Sequence, residues 1–231
     1  MINKNSSNFV YHFKNVFDKT LLRSLKKKIE FMQRKECKKK KIKMSKRELK
    51  AIKRGEMSDN VRLNFSWYKI YENNHALLKR ILPFSYVMYP PQVRNVKKKL
   101  DKVPWHQDRA YMKLLKKKAP KKTITCFVPL NEKPKNHSSI EFAIQKNKKV
   151  LKHQKVGLFE KGIREKINKK KRFNLNLGDA LVFDDRILHR TYFKSKNKEN
   201  RYSLEFRMTS KKLLTKKKDF YSIEENRIIR L

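Results

Sequence analysis

The chain has 231 residues, of which 63 are Lys or Arg and 21 are Asp or Glu, for a formal net charge of +42. That length is enough for one domain with its own core, and 14 Phe and 9 Tyr within a 38% hydrophobic composition exclude a wholly disordered chain. The two cysteines, Cys37 and Cys126, stand in unlike contexts without a paired spacing, which excludes a disulfide framework and fits a reducing compartment.

In chain order, the first third reads as helical and basic. Asp18 is placed to cap an amphipathic helix over about 18–33, with Leu21, Leu22, Leu25, Ile29 and Met32 at helical spacing. Ser45 and Glu48 fit a capping box for a short helix to about Arg54, ended by Gly55. A third helix is expected through Ala76, Leu77, Leu78 and Ile81, capped by Asn73 or Asn74 and stopped by Pro83.

From Ser85 onward the pattern changes to strands. The expected ones are Ser85 to Tyr89, Val103 to Asp108, Thr123 to Leu130, Ser139 to Ile144, Phe173 to Leu177, Ala180 to Asp184, Leu188 to Phe193 and Arg201 to Met208. Many short strands behind a helical block predict a mainly β fold, a sandwich or jelly roll with helices packed outside. The expected organisation is a single catalytic domain over 1–231: a helical basic part over 1–84, a β core over 85–208 and a helix or tail over 209–231. The lysine-rich stretch 146–172 reads as a loop or excursion.

Two segments carry chemistry. In Pro104-Trp105-His106-Gln107-Asp108, an imidazole and a carboxylate lie two apart, so on a strand both face one metal ion while Gln107 points away. Far along the chain, a Gly178-Asp179 turn starts one strand and His189 sits in the next. Two neutral imidazoles and one carboxylate, brought together by a jelly roll, form a facial triad that leaves positions open on a non-haem iron. Beyond His189 come Arg201 and Ser203 on one strand face. A guanidinium with a neighbouring hydroxyl suits the distal carboxylate of 2-oxoglutarate through parallel hydrogen bonds.

Taken together, Pro104 to Asp108 with Tyr111 after it, then Thr125-Cys126-Phe127-Val128-Pro129-Leu130, then Gly178-Asp179 with Phe183 and His189, then Arg201, Ser203 and Arg207, resemble the phytanoyl-CoA dioxygenase family. The resemblance runs over roughly 89–208. It implies a double-stranded β-helix (jelly roll, cupin-like) core, iron ligands at His106, Asp108 and His189, and a 2-oxoglutarate anchor at Arg201. It also puts an aromatic residue, Phe127, near the co-substrate, with Tyr111 a further candidate for lining the pocket. The implied activity is a dioxygenase that hydroxylates a small molecule with dioxygen and releases succinate and carbon dioxide. Related halogenases carry a small residue in place of the carboxylate ligand, whereas Asp108 is retained, so hydroxylation is expected rather than halogenation. Relatives usually follow the Phe127 strand with an Asn-Gly turn and a Pro-Gly-Ser-His segment; here Asn136 to Asn147 contains neither glycine, and no substrate is carried over.

The remaining residues take blander readings. Trp105 is expected to be a core or rim aromatic, Gln92 and Arg94 to lie in an exposed polar turn, and His12, His75, His137 and His153 to be ordinary histidines. Lysine greatly outnumbers arginine, which favours compositional bias over dedicated phosphate reading, although so positive a field favours an anionic small-molecule substrate. The alternatives are a basic nucleic-acid-binding protein with an inert barrel, or a nucleic-acid or protein hydroxylase with the same iron site. With no leader-like start and no apolar run of about 18 residues, neither export nor membrane spanning is expected, and the expected location is cytoplasmic.

Overall fold

The structure, a computed structural model, describes residues 10–38, 71–72, 75–81, 85–89, 91–96, 103–110, 122–132, 139–144, 149–151, 167, 169–193, 199–214 and 219–230. The helix expected near Ser45, the Asn73 and Asn74 caps, Tyr111, His137 and His153 lie outside them. Among the described residues, no helix is long and apolar enough to cross a membrane.

The elements, in order, are β1 (Val10–Phe13), α1 (Lys19–Lys38), α2 (His75–Ile81), β2 (Tyr86–Tyr89), β3 (Gln92–Val96), β4 (Ile124–Pro129), β5 (Ser139–Ile144), β6 (Lys169–Arg172), β7 (Ala180–Asp184), β8 (His189–Tyr192), β9 (Arg201–Thr209), a 3-10 turn (Lys211–Leu213), β10 (Asp219–Ser222) and β11 (Arg227–Arg230). They form two antiparallel sheets, as expected for a double-stranded β-helix. The larger has the order β1-β7-β4-β9-β2-β10-β11, with β3 also paired to β9, and the smaller the order β6-β5-β8.

β9 is the organising strand. One edge pairs along β4, and the other is shared by β3, opposite Arg201 to Glu205, and β2, opposite Met208 and Thr209. Because side chains alternate across a strand, β9 serves two interiors. Leu204, Phe206 and Met208 join Cys126, Val128, Ala180 and Val182 in a core covered by Leu22, Leu25 and Ile29 of α1. Arg201, Ser203, Glu205 and Arg207 project from the opposite face, toward the smaller sheet. Between the sheets, Phe127, Leu181 and Phe183 meet Ile140, Phe142 and Leu175 in a second cluster.

α1 begins where the sequence puts it. The Asp18 carboxylate accepts hydrogen bonds from the Thr20 and Leu21 amides at 2.7 and 3.1 Å, satisfying donors that the first turn cannot. The Gly178-Asp179 turn then anchors the N-terminal segment: Gly178, at φ 94°, accepts from the Val16 and Phe17 amides. Asp179 holds the Asn15 amide and pairs with His12 at 3.0 Å, so His12 is a structural partner and not an idle histidine. His75 likewise bonds the Ile223 carbonyl.

Several expected elements differ. Val103 to Asp108 does not form a strand: a single bridge joins His106 to His189, and a helical turn begins at Asp108. Pro104 carries no amide donor for a ladder, which limits the pairing. The expected strand Phe173 to Leu177 is irregular, and the strand there is the lysine-rich β6 just before it, held by pairing with β5. β1 and β3 were not expected as strands. The end of the chain is neither helix nor free tail, because β10 and β11 form a hairpin that extends the larger sheet against β2.

Candidate metal centre

His106, Asp108 and His189, all buried, each bring one ligand atom to within 4.8 Å of the others, a group able to hold a metal ion. The reciprocal bridge sets the two histidines directly opposite each other: the His106 amide donates to the His189 carbonyl and the His189 amide to that of His106, both at 2.9 Å. Their ring centroids are 4.2 Å apart. Asp108 reaches the same point from the first turn of a helix, not by strand alternation.

Each imidazole is oriented in the same way. Nδ1 of His106 lies 2.9 Å from the Pro104 carbonyl, and Nδ1 of His189 lies 2.9 Å from the Ile187 carbonyl. A carbonyl can only accept, so each Nδ1 carries the proton and each Nε2 keeps its lone pair for a metal. Burial, followed by the neighbouring His189, lowers the pKa of His106 to about 3, which keeps the ring neutral at ordinary pH. Burial alone would raise the Asp108 carboxyl, but Arg207, the two histidines and Thr125 outweigh it and hold the group well below the usual carboxylate range. Thr125 donates to Asp108 Oδ2 at 2.9 Å, and Arg207 approaches both oxygens at 3.4 Å while donating to Gln92 at 2.6 Å.

Gln107, between His106 and Asp108, points away as expected and has a structural task that the sequence did not reveal. Its side chain donates to the carbonyls of Lys149 and Arg186 and accepts from the Leu151 amide, tying together the loops behind the site. Trp105 is a core residue with Leu188 and Ala143, and the Arg190 guanidinium stacks over it at 4.7 Å. Arg190 and Arg172 both pair with the fully buried Glu141 at 2.5 Å.

The histidines and Asp108 open onto a small, partly solvent-open cavity, whose other walls include Arg94, Ile140, Phe183, Arg201 and Glu205. Arg201 is 2% exposed and Ser203 is fully buried. Among the described residues, Arg201 Nε and Ser203 Oγ have no hydrogen-bond partner, and Arg201 Nη1 meets the Ser139 carbonyl at 3.2 Å. Phe127 lies beneath the guanidinium, 5.4 Å from ring centroid to carbon. Arg94, expected in an exposed turn, instead sits mid-strand in β3 and lines the cavity. The sequence signal was its alternation with Gln92 and Val96, masked by the adjoining Pro90-Pro91.

The fold and this group define a class: a double-stranded β-helix protein with two histidines and one carboxylate converging on a polar cavity. The chain matches no family model and no curated protein. Among solved structures it is similar to the non-heme alpha ketoglutarate dependent epimerase SnoN from nogalamycin biosynthesis, with 13% identity and a TM-score of 0.54 over 87% of this chain and 78% of that one. It is similar also to the non-heme alpha ketoglutarate dependent carbocyclase SnoK from nogalamycin biosynthesis, with 10% identity and a TM-score of 0.54 over 94% and 82%. A third likeness is to EvdO2 from Micromonospora carbonacea var. aurantiaca, with 14% identity and a TM-score of 0.53 over 88% and 87%. At such identities the likeness is one of fold.

Proposed function

We propose that the protein is a non-haem Fe(II) and 2-oxoglutarate-dependent oxygenase that hydroxylates a small molecule, in keeping with the resemblance to the phytanoyl-CoA dioxygenase family. The observation that carries this reading is the buried His106, Asp108 and His189 group, each offering one ligand atom within 4.8 Å of the others, at a cavity that also holds a partly unsatisfied Arg201. The donor set fits iron: two neutral nitrogens and one ionised oxygen on one side leave the other side free. The orphaned polar atoms of Arg201 and Ser203 fit a carboxylate that would complete them.

In this reading His106 Nε2, His189 Nε2 and the Asp108 carboxylate hold the metal, and Thr125 and Arg207 fix the carboxylate's orientation. Arg201 and Ser203 bind the distal carboxylate of 2-oxoglutarate. Phe127 shields that ion pair, while Phe142 and Phe183 pack against the His189 ring at 6.0 and 5.1 Å and exclude water from its far side. When bound, the iron and 2-oxoglutarate supply oxidation of a substrate C–H bond by dioxygen, with release of succinate and carbon dioxide. Hydroxylation, and not halogenation, follows from the carboxylate that position 108 retains.

The test is to load the protein with Fe(II) and 2-oxoglutarate without oxygen, record the visible charge-transfer band, then admit oxygen and measure succinate. Both signals are expected, and His106→Ala or Asp108→Ala should remove both. Wild-type protein that binds Fe(II) and 2-oxoglutarate no better than these variants would overturn the proposal.

A further inference from the structure

The cavity holds more positive charge than the proposed co-substrate consumes. Arg207 is engaged by Gln92, Asp108 and Glu205, and Arg190 by Glu141. That leaves Arg94 and Arg201. The β3 and β9 register puts Arg94 directly opposite Ser203, with Val96 opposite Arg201, so the two guanidiniums are diagonal neighbours on one face. Among the described residues neither forms an ion pair with a carboxylate, and the Nε of each is buried without a hydrogen-bond partner. Two guanidiniums side by side repel unless anions lie between or upon them.

Resting on the oxygenase reading, the count becomes specific. 2-Oxoglutarate has two carboxylates; one belongs at the metal and the other at Arg201. We propose that Arg94 is the substrate-binding cation, and that the substrate carries an oxyanion group, a carboxylate or a phosphate ester, which pairs with Arg94 while its reacting carbon faces the metal. Arg94 is suited to this because it stands on a strand anchored along β9, which fixes its position relative to Arg201 and Ser203. A guanidinium also offers a planar, bidentate surface to either oxyanion.

The experiment uses the full chain with Fe(II) and 2-oxoglutarate, kept free of oxygen. Sulfate, standing in for a phosphate ester, and acetate, standing in for a carboxylate, are titrated calorimetrically against a chloride control of equal ionic strength. Saturable binding of one of them is expected, and the one bound more tightly assigns the group. Arg94→Gln should weaken it about tenfold or more, as loss of a charge-assisted pair does. Arg94→Lys should retain part of it, and both variants should keep the charge-transfer band at the wild-type 2-oxoglutarate concentration.

A band that needs much more 2-oxoglutarate in Arg94→Gln would place Arg94 on the co-substrate and overturn the proposal. So would anion binding that neither variant changes, or no saturable binding of either anion to a protein that shows the band. Absence of the band from wild type, with Arg94-dependent anion binding intact, would overturn the oxygenase reading alone. Should Arg94→Gln fail to fold by circular dichroism, Arg94→Lys supplies the comparison, with a smaller but measurable weakening expected.

Discussion

Replacing Arg201 by Met is expected to strengthen the protein in the absence of ligands while destroying its hold on 2-oxoglutarate. The guanidinium is buried, and among the described residues the Ser139 carbonyl alone meets its Nη1. Burial, helped by Arg94 and opposed by Glu205, lowers its pKa from 12.5 to about 9. A drop of that size sets an upper bound of about 5 kcal/mol on the penalty against the charged form. Relaxation reduces what is realised to about 1–4 kcal/mol, the range seen when buried ionic groups give way to apolar ones. Met has a similar reach and no charge, so the ligand-free variant should melt higher, by about 2–4 °C for each kcal/mol. With 2-oxoglutarate the sign reverses. Two charge-assisted hydrogen bonds are lost, each worth about 1.5–3 kcal/mol, so the dissociation constant should rise about a hundredfold or more. Thermal unfolding without ligands and an oxygen-free titration followed by the charge-transfer band measure the two effects separately. A variant that melts several degrees lower, yet binds 2-oxoglutarate normally, would show Arg201 to be a structural counter-ion and refute the reasoning.

Thr125→Val removes the hydrogen bond that orients Asp108 and should weaken metal binding by about 10–100-fold in competition with a chelator, with little change in unfolding. Gln107→Leu removes three hydrogen bonds made by a fully buried side chain, and should cost about 2–4 kcal/mol in denaturant unfolding without displacing His106 or Asp108. The metal-free protein should lose stability on acidification from about pH 6.5 toward pH 3. The folded state keeps His106 neutral down to about 3, so the unfolded chain binds the extra proton throughout that interval. Asp108 acts in the same direction at lower pH: its depressed carboxyl adds stability above the ordinary 3.8, and that stability is lost below it. His106→Phe should therefore flatten the stability curve between about pH 6.5 and 4, and equal slopes in both proteins would contradict the assignment.

Much of the site was legible because its chemistry is written in residue types that few other roles require together. His106, Asp108, His189 and Arg201 stood out through spacing together with the family resemblance, and β5 and β7 match the expected bounds, β5 by its alternating apolar residues and β7 by its continuous apolar run. What the sequence hid depends on partners distant in the chain. β3 reads as a turn because of Pro90-Pro91, yet β9 supplies the ladder that makes it a strand and turns Arg94 inward. β6 consists of three lysines and an arginine, with no apolar periodicity to find, and is held by pairing with β5 and by Glu141 on Arg172. The β10 and β11 hairpin is similarly short, and its place is secured by β2. Asp108 was grouped with the two histidines for a reason that the backbone does not bear out: it is a bridge followed by a helical turn, and no local pattern distinguishes that from a short strand.

The two-sided character of β9 has a consequence for how this protein can change. Substitutions at Leu204, Phe206 or Met208 alter packing beneath α1, and substitutions at Arg201, Ser203 or Glu205 alter the cavity, each set on its own. Removing or adding one residue within β9 exchanges the two sets at a stroke, driving guanidinium and carboxylate groups under the helix and leucine and phenylalanine toward the ligand group. Such a lesion would take stability and ligand binding together, so variation in β9 is channelled into replacement, while changes of length are left to the loops on either side.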